Sequence, residues 1–387
     1  MLNTRSILNK LQAVETPFYY YDMQVLHDSL KAVSGAAKKH GYHVHYALKA
    51  NANMRLLQAV REHGLGADCV SGGEVKRALE CGFKPNDVVF AGVGKSDKEI
   101  ELALNADIFC FNCESKQELE ILNELAQKSG KTARIALRIN PNVNAHTHHY
   151  ITTGLEENKF GINLWEMPQV LDLLKTLSSI DLIGIHFHIG SQITDLTVFK
   201  NLCIKVNEIQ QWFRERGIMI KHLNVGGGLG INYHEPEKEA VLDFEKFFGI
   251  FAQFLQVNAQ QEVHFELGRS IVAQCGSLIS RVLYIKNGVK TNFAILDAGM
   301  TDLIRPALYQ AFHKIENISK DGAVADSKYD VVGPICESSD CFGKAVDLPD
   351  TQRGDLISIR SAGAYGEVMA SGYNLRELPK SVYSDQL

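Results

Sequence analysis

Between residues 26 and 267 the sequence alternates eight times between a short apolar run and an amphipathic stretch of helical length. Few folds satisfy that beat. Helices are predicted over residues 26–39, 54–62, 73–81, 97–104, 115–127, 165–177, 197–216 and 242–254. The 54–62 stretch shows the pattern well, with Leu56, Leu57, Ala59 and Val60 on one face and Gly64 as its stop. Strands are predicted to end at Lys49 and to cover 66–71, 88–92, 108–111, 133–139, 183–189, 222–225 and 262–267. Strands that alternate with helices pair in parallel, and eight repeats favour a closed (β/α)8 TIM barrel over an open sheet.

After Leu267 the texture changes. Strand-like runs at 277–284, 291–296 and 355–360 follow one another with little helical period between them, so a β-rich second domain is expected. The aromatic run Phe18-Tyr19-Tyr20-Tyr21 reads as a strand that precedes the barrel and could join it. No Ser/Pro-rich linker separates the two parts.

Composition narrows the function classes. In 387 residues, 45% hydrophobic and 22% charged content is that of a water-soluble globular chain. A net charge of −5 argues against nucleic acid or an anionic membrane as the main partner. The first residues lead into no apolar core of signal-peptide length, so a cytoplasmic protein is expected. The eight cysteines are scattered, as suits a reducing compartment. Cys110 and Cys113 form one CxxC without a second pair at zinc spacing, and are expected to be structural thiols. His146, His148 and His149 have no cysteine or carboxylate set beside them and are expected to be solvated loop histidines.

The inward faces of three strands carry the chemistry. In His43-Val44-His45-Tyr46-Ala47-Leu48-Lys49, the apolar Val44, Tyr46 and Leu48 alternate with His45, Ala47 and Lys49. Near residue 187, Ile185, Phe187 and Ile189 alternate with His186, His188 and Gly190; near 265, Val263, Phe265 and Leu267 alternate with His264, Glu266 and Gly268. Each reads as apolar towards the helices and ionisable towards the axis. Lys49, His188 and Glu266 fall near C-terminal strand ends, where barrels gather their chemistry. Gly226-Gly227-Gly228 follows the seventh strand, at the usual phosphate seat of such barrels. An amine able to form an imine beside a phosphate seat suggests pyridoxal phosphate, with Glu266 at the pyridine nitrogen. The same residues also suit a Schiff-base aldolase acting on a phosphorylated sugar, with Lys49 as nucleophile and no cofactor.

Longer motifs resolve that choice. Tyr46-Ala47-Leu48-Lys49-Ala50-Asn51, Ser71-Gly72-Gly73-Glu74, His186-Phe187-His188-Ile189-Gly190-Ser191-Gln192 and Gly226-Gly227-Gly228 occur with Glu266-Leu267-Gly268-Arg269. Arg305-Pro306-Ala307-Leu308-Tyr309, Gly333-Pro334-Ile335-Cys336-Glu337-Ser338 and Gly363-Ala364-Tyr365-Gly366 follow. Together they span nearly the whole chain, which resembles the fold-type III pyridoxal-phosphate decarboxylases.

The resemblance implies a role at each matching position. Lys49 would hold pyridoxal 5'-phosphate covalently and His188 would stack on its ring. Ser191, Gly227, Glu266, Gly268 and Arg269 would bind the cofactor and its phosphate. Arg269, Arg305 and Tyr309 would contact the substrate carboxylate that does not react. Cys336 would donate a proton across a homodimer interface, Glu337 would reach a distal ammonium group, and Tyr365 would close over cofactor and substrate. The aromatic strand near Phe18 would belong to the β-domain, giving a barrel over 25–265 and a discontinuous domain over 1–24 and 266–387. Proline is usual in the family where this chain has Leu267; its outward parity points to packing and not to chemistry. The activity implied is decarboxylation of meso-2,6-diaminopimelate to L-lysine and carbon dioxide, the last step of lysine biosynthesis, because Arg305, Tyr309 and Glu337 suit a second carboxylate and a second amine. Relatives acting on ornithine, arginine or carboxynorspermidine, and non-catalytic homologues that only bind the cofactor, are the alternatives.

Overall fold

A computed structural model of the chain describes residues 5–143 and 159–387. The histidines at 146, 148 and 149 lie outside the described residues. The strands are β1 (Phe18–Tyr21), β2 (Tyr42–Ala47), β3 (Gly66–Cys69), β4 (Val88–Phe90), β5 (Cys110–Cys113), β6 (Ala133–Arg138), β7 (Ile180–His186), β8 (His222–Asn224) and β9 (Glu262–Leu267). Seven more follow: β10 (Gly276–Asn287), β11 (Asn292–Leu296), β12 (Ile315–Asn317), β13 (Ser327–Val332), β14 (Cys341–Leu348), β15 (Leu356–Ile359) and β16 (Lys380–Tyr383).

Two compact units emerge. One comprises Leu30–Gly230 with Asp243–Gly268, and the other Met1–Ser29, Ile231–Leu242 and Arg269–Leu387. The segment Ile231–Leu242 lies inside the sequence span expected for the barrel, yet it groups with the β-rich unit.

In the barrel unit, β2 to β9 close in sequence order into an eight-stranded parallel barrel, with β2 pairing both β3 and β9. The connecting helices start where short polar side chains satisfy free backbone N–H groups. Asn53 accepts from Arg55 N, Ser71 from Glu74 N and Ser115 from Glu118 N, each cap contributing about 1 kcal/mol. Ser96 and Glu99 form a reciprocal capping box. Apolar side chains cover the outer barrel face: Phe265 on β9 meets Phe248 and Phe251, each at 4.8 Å between centroids. Full burial of one such ring stabilises by roughly 1.5–3 kcal/mol. Leu267 is buried on the same parity, opposite Tyr46 in the β2–β9 register.

The inside of the barrel is partly polar. His45, Asp68, Asn112, His186, Asn224, His264 and Glu266 are all buried. The expected alternation therefore holds, but several strands stop sooner than expected, two of them short of a candidate residue. β2 ends at Ala47 and passes into a single 3-10 turn, Leu48–Ala50, so Lys49 stands on that turn. β7 ends at His186, which leaves His188 in the following loop. The helix expected over 165–177 splits into a 3-10 turn, Leu164–Glu166, and a helix, Met167–Leu174, with Pro168 in its first turn.

In the second unit the sheet runs β12-β15-β10-β11-β13-β14, and β1 pairs antiparallel with β10 and parallel with β16. The aromatic strand therefore belongs to this sheet and takes no part in the barrel. Phe18 and Tyr20 pack with Leu11, Ile279 and Leu356. Among the described residues, no helix is long and apolar enough to cross a membrane.

Candidate active site

The barrel contributes one group of side chains. Lys49 Nζ lies 3.2 Å from Asp68 Oδ2, at the C-terminal end of β3, and about a third of the lysine side chain (36%) is exposed. Asp68 itself is fully buried, and its other oxygen, Oδ1, has no hydrogen-bond partner among the described residues. Burial and the nearby Glu266 charge raise the Asp68 carboxyl to about 7, against the pull of Lys49.

Glu266 is gripped from three strands. Asn112 Nδ2 (β5) and Asn224 Nδ2 (β8) donate to Oε1 at 3.0 and 2.7 Å, and His186 Nε2 (β7) meets Oε2 at 2.9 Å. Burial pushes its carboxyl upward. His186, helped by Lys49 and His188, more than offsets burial and holds the group ionised, well below the usual carboxylate range. A carboxylate accepts about four hydrogen bonds, so one acceptor position on Glu266 is left after these three.

His188 receives the Gly227 N–H on Nδ1 at 3.5 Å, a long contact that requires a lone pair on that nitrogen. Burial, then the charges of Lys49 and Arg138, depress its pKa and keep the ring neutral. Arg138, on β6, is held in a buried pair by Glu114 Oε1 at 2.9 Å. Ser191 is half-buried in the turn after Gly190.

Close backbone approach explains the glycines. A Cβ on Gly227 would collide with the Glu266 carbonyl, and one on Gly226 with the Phe187 carbonyl. On Gly268 a Cβ would lie 2.9 Å from Ala50 Cβ and 3.1 Å from Ala47 Cβ, against the turn that carries Lys49.

The β-rich unit contributes a second group. Arg269 and Arg305, both buried, donate from Nη1 to the Tyr233 hydroxyl at 2.5 and 3.0 Å. Arg305 also meets His313 Nε2 at 2.9 Å, while His313 Nδ1–H donates to the Arg360 carbonyl at 2.8 Å. Burial lowers His313 to about 3, so the ring is neutral and Nε2 can accept. No carboxylate pairs with Arg305 among the described residues. The guanidinium of Arg269 also lies 4.8 Å from the centre of the Tyr365 ring. Tyr309 stands four residues after Arg305 in the same short helix and is half-buried. Cys336 and Glu337 are exposed on the β13–β14 connection, where Glu337 Oε1 accepts from Tyr373 at 3.0 Å. Asp340 pins that connection by accepting Ile335 N at 2.7 Å and Met300 N at 2.6 Å.

Within each unit the residues singled out in the sequence are thus joined by partners that were not. His186 lies on an inward face whose alternation alone assigns it no role. Asp68 and Asn112 also lie on inward-facing strand positions. Tyr233 and His313 come from irregular segments, where no period marks them.

A barrel amine held by a buried carboxylate, an ionised glutamate inside the same barrel and a glycine cradle define a carbonyl-binding enzyme site. Residues 26–273 match the family described as "Pyridoxal-dependent decarboxylase, pyridoxal binding domain", and the chain belongs to that family. Within it, the chain is 58% identical over 98% of both sequences to a diaminopimelate decarboxylase of Bacteroides thetaiotaomicron. A second diaminopimelate decarboxylase, from Vibrio cholerae, is 42% identical, with 96% of this chain and 88% of that sequence covered. The crystal structure of the Helicobacter pylori diaminopimelate decarboxylase complexed with L-lysine superposes with a TM-score of 0.91 at 41% identity, covering 98% of this chain and 94% of that one.

The residues fit pyridoxal phosphate on structural grounds. Glu266 keeps its charge and an open acceptor position for a ring N–H. The Lys49 amine is accessible, and side chains at 226 and 227 would fill space that the backbone needs.

Proposed function

We propose that the chain is a pyridoxal-phosphate-dependent carboxy-lyase that converts meso-2,6-diaminopimelate to L-lysine and carbon dioxide. The observation that carries the substrate assignment is the Arg269–Tyr233–Arg305 cluster: buried guanidinium groups gathered on a phenol form a seat for an anion. Leaving Arg305 buried without an anion is costly, so the substrate should retain a carboxylate after the reaction. Diaminopimelate has one to spare; ornithine and arginine do not.

When bound, the cofactor supplies an electron sink for the pair left on the α-carbon as carbon dioxide departs. The protein does the rest. Lys49 Nζ is the amine that would hold the cofactor's carbonyl, and Asp68 orients it. Glu266, held ionised, would face the ring nitrogen and favour its protonated form. Neutral His188 offers a flat face without a competing charge. Ser191, Gly227, Gly268 and Arg269 would contribute to holding the cofactor, with Tyr365 closing over it. Arg305, Arg269 and Tyr309 retain the second carboxylate. Glu337 exchanges the Tyr373 hydroxyl for the distal ammonium group. Cys336 Sγ–H gives its proton to the α-carbon, and the thiolate is reprotonated from solvent. The exposure of Cys336 and Glu337 suits a homodimer in which each copy completes the other's site. A cytoplasmic location suits this activity.

Carbon dioxide release by the purified, cofactor-loaded protein tests the reading. The substrates are meso-diaminopimelate, ornithine, arginine and carboxynorspermidine, and Lys49→Ala is the control. Release from diaminopimelate alone, lost in the variant, is expected. Release from another of these amino acids in its place would overturn the roles of Arg305 and Glu337.

A further inference from the structure

A second polar cluster lies at the other end of the barrel, where the strands begin. It is built from β2, β8 and β9, and the proposed chemistry uses none of it. His222 Nδ1 lies 3.1 Å from Glu262 Oε2 and 3.2 Å from His264 Nε2, and His264 Nε2 lies 3.6 Å from the same Glu262 oxygen. Three donor atoms therefore form a nearly equilateral triangle. Zinc binds histidine nitrogen or carboxylate oxygen at about 2.0–2.2 Å, and the edge of a tetrahedron with that radius is about 3.3–3.6 Å. The observed edges bracket that value.

The orientation of His264 is imposed from behind. Asp87 offers a carbonyl oxygen, which can only accept, to His45 Nδ1 at 3.2 Å. His45 therefore carries its proton on Nδ1. His45 Nε2 is then a lone pair and accepts Nδ1–H of His264 at 3.0 Å. His264 is thereby left with its lone pair on Nε2, which faces Glu262 and His222. This is the arrangement in which a ligating histidine donates its other N–H to an outer partner. Two features protect the relay. Gly66 has no side chain where a Cβ would lie 2.5 Å from both His45 Nδ1 and the Asp87 oxygen. Glu262 N–H donates to the Lys221 carbonyl at 2.8 Å, which holds the glutamate beside His222.

Access is also provided. The side chains of Glu262 and His222 are 51% and 20% exposed, against 5% for His264, so the triangle opens to solvent on the Glu262 side. Phe109 stacks on His264 at 5.5 Å and meets His222 edge-on at 5.0 Å, which closes the inner side.

We propose that His222, Glu262 and His264 bind one divalent transition-metal ion of the zinc class, with solvent in the fourth position. The ion would clasp β8 to β9 at the end of the barrel away from Lys49. A solely protonic arrangement, in which His222 Nδ1–H is shared between Glu262 and His264, is the competing account.

The test uses cofactor-loaded enzyme, stripped with a chelator and then dialysed against buffered zinc chloride, with bound metal counted by atomic absorption. One zinc per chain is expected. His222→Gln and Glu262→Gln, both at partly exposed positions, should weaken binding at least about a hundredfold, and Gly66→Ala, through the relay, about tenfold or more. Cobalt(II) in place of zinc should give the visible bands of a tetrahedral nitrogen–oxygen site with no thiolate charge-transfer band, which excludes Cys336 as the binder. Turnover by Glu262→Gln should equal that of the parent protein. Failure to retain zinc at about 10 μM free metal would overturn the proposal. So would retention undiminished in both Gln variants.

Discussion

Asp68→Asn should stabilise the protein while impairing it, and the stabilisation should grow with pH. The aspartate is fully buried, one of its oxygens has no hydrogen-bond partner among the described residues, and its pKa is raised by burial from 3.8 to about 7. A carboxyl whose folded pKa lies above its unfolded value favours the folded state when protonated. It therefore costs stability progressively as pH rises from about 4 to 7. Linkage with these values gives a penalty of about 2 kcal/mol at pH 5.5 and about 4 kcal/mol at pH 8.5. Asparagine is nearly isosteric and carries no such penalty. It forfeits the ionic Lys49 contact, but the pull of that lysine is already contained in the value of about 7 and adds no further pH dependence. The variant's advantage should therefore widen by about 2 kcal/mol between the two pH values, or about 4 °C in Tm at roughly 2 °C per kcal/mol. Thermal unfolding of cofactor-free wild type and variant, followed by circular dichroism at pH 5.5 and 8.5, measures the gap directly. A gap that stays constant or narrows would refute the reasoning, because it would mean that the buried carboxylate is not under strain from its surroundings.

Gly227→Ala places a methyl group against the Glu266 carbonyl, so the loop must move; cofactor affinity in an absorbance titration should fall at least about tenfold, with far-UV circular dichroism unchanged. Tyr233→Phe deprives Arg269 and Arg305 of a shared acceptor; hydrogen bonds to charged groups are worth about 1.5–3 kcal/mol, so kcat/KM for diaminopimelate should fall about tenfold to a hundredfold, mainly through KM. Cys336→Ala should leave Tm unchanged, since the side chain is exposed, yet lose most turnover; full turnover with an unaltered product would remove the cysteine from its assigned role.

Much of the barrel was legible because the two periods of its sequence differ so clearly. The helix Met54–Glu62 and the strand Glu262–Leu267 have the boundaries read from sequence, one bounded by its cap and its glycine stop, the other by a clean alternation. At Lys49 periodicity misleads: parity puts it on a strand, but the chain has already turned into a 3-10 helix that still brings the amine to Asp68. The partners of Glu266 were hidden for another reason. Asn112, His186 and Asn224 lie on three different strands, and their convergence depends on the stagger of the closed barrel, which no local pattern records. Tyr233 was less accessible still, because its segment leaves the barrel's sequence span to join the other unit. The aromatic strand near Phe18 was ambiguous from its own residues, since four consecutive buried aromatics have no polar face to indicate a sheet.

That strand also has a history that depends on the ribosome. β1 lies between β10, where Tyr21 meets Gly276, and β16, where Phe18 meets Lys380. Neither neighbour exists when Phe18–Tyr21 leaves the exit tunnel. At about 5–20 residues per second, the roughly 250 residues up to β10 take on the order of tens of seconds to synthesise. Throughout that interval an aromatic, uncharged strand has both hydrogen-bonding edges unpaired, the condition under which strands recruit one another. The barrel's strands, by contrast, each find a neighbour almost as soon as the next is made, because β2 to β9 pair in sequence order, and only the outer edge of β2 waits for β9. Expression temperature and chaperone supply should therefore govern the yield of this protein through its first four aromatic residues more than through the barrel that carries its lysine.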